Sequence, residues 1–288
     1  MSEEMRSIRW VELCVEAFGS PDNPCALLIM GAMASMIWWD EVFCQQLADQ
    51  GLFVIRYDQR DVGRSSCCLP GEINYDLGDL VLDAQGVLAS FGVSAAHIVG
   101  MSLGGMIGQV LGLRAPEHVL SLICIASGIF DERPDLPPMD GAIGAYHSQA
   151  AQLDWSDEGR VCAYLVGGWR LLGGSRYPFD EARALALAER EFRRARSMPS
   201  MFNHAMLDGA RDCYGAMPRI NARVLAIHGT EDRVLLLPHA EVLVQAVPNG
   251  RLVTLDGAGH ELHPFDWPQI IAEIAAHIRD SKAGVAEV

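Results

Sequence analysis

Short apolar runs alternating with helix-length stretches set the pattern of this chain. Residues 11–17, 26–30, 53–57, 97–101 and 120–126 are apolar segments of strand length, and turn residues follow most of them. Strands buried on both faces of a parallel sheet read this way. Amphipathic stretches lie between them; residues 79–91, for example, carry Leu80, Val87, Leu88 and Phe91 among their apolar positions. Strand–helix alternation predicts an α/β fold with a mostly parallel, doubly wound sheet. The same pattern returns late, with strands expected at 223–228 and 251–255 and a closing helix at 269–279.

The middle of the chain breaks the pattern. From residue 128 to about 215 no strand is evident, only helical patterns interrupted by Pro134, Pro137, Pro138, Pro178, Pro199 and two Gly-Gly pairs. Residues 180–197 have acids at the start and arginines at the end, which suits a helix dipole, and the arginine run reads as a solvated helix face. Residues 1–127 and 216–288 are therefore expected to form one α/β core domain, with 128–215 inserted as a helical cap. That segment holds ten of the 21 aromatic residues, enough to build a small core of its own and to line a cleft beneath it.

Composition removes several classes of function. The net charge is −15 with a sequence pI near 4.9, so phosphate backbones and anionic lipid surfaces are poor partners. No apolar run reaches the length of a membrane span, and the charged opening MSEEMRSIRW does not read as a signal peptide. Lys282 is the lone lysine, which excludes a Walker-type phosphate loop and a lysine Schiff base within the core. Eight cysteines show no C-x-x-C pair and no histidines at zinc spacing, so no metal is expected. A reduced, cytoplasmic enzyme without a cofactor is the simplest class. Cys25 and Cys124 read as buried hydrophobes; the adjacent Cys67 and Cys68, before Pro70, are the pair open to oxidation.

Candidate chemistry begins at Gly100-Met101-Ser102-Leu103-Gly104. This G-x-S-x-G follows a strand and opens a helix, an arrangement that projects a serine from the C-terminal edge of a sheet. A glycine-rich helix packed on a sheet would explain Gly105, Gly108 and Gly112 but not a serine at the turn. A serine nucleophile needs a base, and the base an orienting acid. Asp232 follows the strand at 223–228, and His260 follows the strand at 251–255. Both thus fall on the same sheet edge as Ser102. Asp131 is the rival acid, while His263, His228, Glu231 and Asp256 read as structural neighbours. The second donor to an oxyanion is expected from the loop after residues 26–30, at the backbone N–H of Ala32, beside that of Leu103.

The segments LLIMGAMASMIWW, GLFVIRYDQRDVGRSS, AHIVGMSLGGMIGQVLGL, GTEDRV and DGAGH resemble the α/β-hydrolase fold family. Within it they are similar to bacterial serine esterases of the aclacinomycin methylesterase type. The resemblance implies Ser102 as nucleophile, Asp232 as acid, His260 as base, and Ala32 and Leu103 as oxyanion donors. The oxyanion loop carries Met30-Gly31 in place of the common His-Gly. Asp61 stands where the common D-x-R-G-x-G turn has a glycine. The expected reaction is hydrolysis of a carboxylic ester, with a small alcohol leaving from a bulky cyclic acid that Trp155 and Trp169 would contact. A carbon–carbon bond hydrolase or other acyl hydrolase with the same triad, or a ligand-binding protein without turnover, are the alternatives.

Overall fold

The computed structural model describes residues 2–283. Its strands are β1 (Glu4–Ile8), β2 (Val11–Phe18), β3 (Cys25–Ile29), β4 (Phe53–Tyr57), β5 (Ala96–Met101), β6 (Val119–Ile125), β7 (Arg223–Gly229) and β8 (Gly250–Leu255). The helices are α1 (Glu41–Ala48), α2 (Leu77–Ser90), α3 (Leu103–Arg114), α4 (Gly141–Ser148), α5 (Glu158–Leu172), α6 (Glu181–Arg194), α7 (Leu237–Ala246) and α8 (Trp267–Ala283). The strands form one eight-stranded sheet in the order β1-β2-β4-β3-β5-β6-β7-β8. β1 and β2 pair antiparallel, β2 runs antiparallel to β4, and the remaining neighbours are parallel.

Alternation along the strands builds two buried layers. β3 sends Leu27 and Ile29 to the side covered by α2, α3 and α7, and Ala26 and Leu28 to the side covered by α1 and α8. Because β3, β5, β7 and β8 run the same way, their C-terminal ends share one sheet edge. Between β6 and β7 lie α4, α5 and α6, which pack around their own buried group including Val161, Cys162, Leu165, Ala184 and Ala188. Among the described residues no helix is long and apolar enough to cross a membrane.

The structure adds one strand and corrects one expectation. β1 was not anticipated, since EMRSI is an edge strand whose residues are mostly polar and only Ile8 is fully buried. The arginine run of α6 is not wholly solvated either. Arg193 is exposed, but Arg194 is nearly buried and bonds Asp58 at 2.9 Å and Glu3 at 2.9 Å. It thereby ties α6 to the turn after β4. In that turn Asp61 takes the left-handed φ of 67° usual for glycine. Its carboxylate accepts from Tyr75 Oη at 2.6 Å and Asn203 Nδ2 at 3.0 Å. All eight cysteines are free thiols, and burial pushes Cys67 up to about 11, away from the reactive thiolate.

Candidate active site

Ser102 is the residue between β5 and α3, and its backbone is strained, with φ 51° and ψ −118°. Such a conformation costs on the order of 1–3 kcal/mol for a non-glycine residue and persists only where its surroundings hold it. Here its N–H donates to Ile125 O at 2.9 Å, and its carbonyl accepts from Gly105 N and from Ser127 Oγ. The flanking glycines are obligatory for a reason visible in the packing. A Cβ on Gly100 would lie 2.2 Å from Gly104 O, and one on Gly104 would lie 2.1 Å from Ile29 O. Leu103 is the first residue of α3, so its N–H has no acceptor within the helix.

The loop after β3 crosses this serine. A Cβ built on Gly31 would sit 3.2 Å from Ser102 Cβ and 3.9 Å from its Oγ. Ala32 is exposed at the next position, and Met33 then turns the chain with a φ of 65°. Met30 O accepts from Gln59 Nε2 at 2.7 Å, and Met33 N–H donates to His204 Nδ1 at 3.0 Å. The loop is therefore pinned on both sides of Ala32.

His260 Nδ1 meets Asp232 Oδ2 at 2.7 Å, and the pair is buried. The other oxygen, Asp232 Oδ1, accepts from Val234 N at 2.8 Å and Leu235 N at 2.9 Å. Burial works against the charge on Asp232, yet the bond to His260, the nearby His228 and these backbone donors hold its carboxyl below the usual range. The His260 loop is fixed from α5, because His260 N–H donates to Leu172 O at 2.8 Å.

The rival residues are engaged elsewhere. Asp131 Oδ1 accepts from Glu132 N and Gly215 N. Glu231 holds Ser175 through both its N–H and its Oγ, and Asp256 accepts from Thr230 Oγ1. His263 stacks on Tyr177 with centroids 4.6 Å apart. His228 is closer to the chemistry than its strand-end position suggested. Its Nε2 donates to Leu235 O at 2.6 Å and lies 3.3 Å from Asp232 Oδ2.

A profile of the alpha/beta hydrolase fold matches residues 27–266. The chain belongs to that family. Among its relatives is rhodomycin D methylesterase DnrP of Streptomyces peucetius, 34% identical over 293 residues that cover 93% of this chain and 95% of the relative. Of solved structures, an esterase from Thermogutta terrifontis superposes with a TM-score of 0.75 at 18% identity, covering 98% of this chain and 99% of that one. The 2-hydroxy-6-oxo-6-phenylhexa-2,4-dienoate hydrolase of Rhodococcus sp. strain RHA1 does so at 0.73 and 20%, covering 96% and 100%. At such identities the two structures speak to the shared fold alone.

Two hollows lie among the residues around this part of the molecule. One hollow is lined by Met30, Trp38, Met101, Trp169, Phe179 and Leu262 among others, joining Met101, which precedes Ser102, with Trp169 of α5. A second, more open hollow is lined by Asp140, Gly174, Ser175, Asp232 and Arg233 among others; neither lining includes Ser102. The two candidate tryptophans separate here. Trp169 stacks on Trp38 and lines the first hollow. Trp155 lines neither, and packs edge-on against Tyr164 and Phe202 at 6.0 and 5.8 Å. Its place is within the aromatic packing of the inserted helices.

Sequence reasoning missed Glu191 and His204, both buried, because their partners lie over 140 positions away in the chain. Glu191 Oε2 accepts from Ser35 Oγ at 2.5 Å and from Trp38 Nε1 at 3.1 Å. Among the described residues no group of three or more His, Cys, Asp or Glu side chains is arranged to hold a metal ion.

Proposed function

We propose that this chain is a serine hydrolase that cleaves a carboxylic ester through an acyl-enzyme. The observation that carries the reading is the 2.7 Å bond between His260 Nδ1 and Asp232 Oδ2, on the same sheet edge as a serine at a strained strand-to-helix turn. Ser102 attacks the ester carbonyl while His260 takes the Oγ proton through Nε2. Asp232 holds the imidazole in the required tautomer and offsets its positive charge. The N–H groups of Ala32 and Leu103 receive the oxyanion of the tetrahedral intermediate. His260 then protonates the departing alcohol, and water, activated by the same imidazole, releases the acid. No step calls for a cofactor.

Residues 128–215 act as a cap over this edge, with Trp169 contacting the acyl part. The 34% identity to rhodomycin D methylesterase supports a small alcohol leaving from a bulky cyclic acid. A turnover screen varying the acyl and alcohol parts separately tests this. Methyl esters of polycyclic acids should lead it. Preference for long straight acyl chains would contradict the acid assignment, and cleavage of carbon–carbon bonds in place of esters would contradict the reaction.

A further inference from the structure

His204 is a buried residue outside the proposed triad that bonds the backbone of the loop carrying Ala32. It lies in the 3-10 segment Met198–Met206, between α6 and β7, and its ring is held by two backbone groups of opposite kind. Nδ1 faces the N–H of Met33, a pure donor, at 3.0 Å. Nε2 faces the carbonyl of Arg60, a pure acceptor, at 2.7 Å. Only a neutral imidazole protonated at Nε2 satisfies both partners. Burial favours that neutral state, pushing the pKa of His204 below the ordinary histidine value against the pull of the Arg60 carbonyl and of Asp61. The neighbouring Asn203 anchors the segment, donating to Asp61 Oδ2 and Leu69 O and accepting from Gly71 N at 2.8 Å.

We infer that His204 is a positioning residue for the oxyanion site, locking through Met33 N–H the loop that carries Ala32. The inference rests on the ester-hydrolase reading above. Its physical content is local. Met33 has a left-handed backbone that a non-glycine residue adopts at a cost, and its N–H would otherwise be a donor seeking an acceptor in the loop. Fixing that N–H fixes the peptide between Ala32 and Met33, two residues on from Gly31, where an added Cβ would lie 3.2 Å from Ser102 Cβ. The acceptor comes from a segment 171 positions later, so the oxyanion site is complete only when the return from the inserted helices is docked on the core.

The test compares His204→Leu, which has no acceptor, with His204→Asn, whose Oδ1 can occupy the place of Nδ1. In His204→Leu, kcat should fall by about 10²-fold, the scale of a slight misplacement of a catalytic group, while KM for the same ester changes little. Binding of a trifluoromethyl ketone, which forms a tetrahedral oxyanion on the serine, should weaken in parallel. His204→Asn should recover most of both losses. If His204→Leu does not fold, His204→Ala titrated with free imidazole decides the matter, since recovery of kcat at constant KM is expected. An unchanged kcat in folded His204→Leu, equal losses in Leu and Asn variants, or no recovery with imidazole would overturn the inference. Ester turnover by Ser102→Ala equal to that of the wild type would instead remove the hydrolase reading. Amide exchange at Met33, faster in Leu and restored in Asn, then still reports whether His204 locks the loop.

Discussion

Trp169 of α5 stacks on Trp38 of the turn before α1, with ring centroids 4.0 Å apart and 27° between the planes. Trp38 is itself fixed from behind, since its Nε1 donates to the buried Glu191 of α6 at 3.1 Å. One face of the hollow lined by Met101 is thus an aromatic wall, built jointly by Trp38 before α1 and Trp169 of α5.

That wall should read the acyl group. An aromatic pair contributes about 0.5–1.5 kcal/mol beyond its buried area, so Trp169→Ala should lower kcat/KM for bulky cyclic esters by up to about tenfold. A short acetyl ester should be affected much less. Trp155→Ala should lower Tm and treat both substrates alike, because it packs on Tyr164 and Phe202 away from the hollow. Equal losses on both esters in Trp169→Ala would assign Trp169 to cap packing instead.

Glu191 gives stability a pH dependence of known sign. Burial pushes its carboxyl up to about 7, and the charge of Asp58 adds to this, against the bonds from Ser35 and Trp38 and the charge of Arg194. Between the ordinary value of 4.5 and 7, the folded state keeps a proton that the unfolded chain has released. Stability contributed by this group is therefore full below 4.5, declines as pH rises through that window, and levels off above 7. Glu191→Gln keeps an acceptor oxygen and removes the titration. Its stability relative to wild type should rise between pH 5 and pH 8 by on the order of 2 kcal/mol, seen as a Tm difference that grows in the same direction. A difference independent of pH would mean Glu191 is charged throughout.

Much of this architecture could be read from the chain because local signals agree with the global fold. The apolar runs of β3, β5, β6 and β7 are buried on both faces, so they stand out without any knowledge of their partners. Gly100 and Gly104 mark Ser102 because a Cβ at either would strike backbone. What escaped notice depends on pairing across long separations. β1 has polar residues because it is an edge strand. Arg194 looks like one more surface arginine until Asp58 and Glu3 are placed beside it. His204 carries no motif at all, and its role exists only where Met33 N–H arrives at its Nδ1.

The choice of acid is open to a direct comparison. Asp232→Asn should leave the fold intact and reduce kcat by roughly 10⁴-fold, through loss of the correct His260 tautomer. Asp131→Asn should stay close to wild type, since among the described residues Asp131 bonds Glu132 N and Gly215 N, away from His260. The reverse ranking in steady-state kinetics would exchange the two assignments.

The proposed mechanism requires Ser102 to be a nucleophile activated by the His260–Asp232 pair. The most direct measurement is intact-protein and peptide mass spectrometry after brief exposure to a fluorophosphonate, alongside ester turnover of the same sample. One phosphonyl adduct, located on Ser102 and abolishing turnover in step with its formation, is the predicted result. Ser102→Ala should take up no label, and His260→Ala should label far more slowly. Ester turnover that survives complete labelling of Ser102, or that persists in Ser102→Ala, would contradict it.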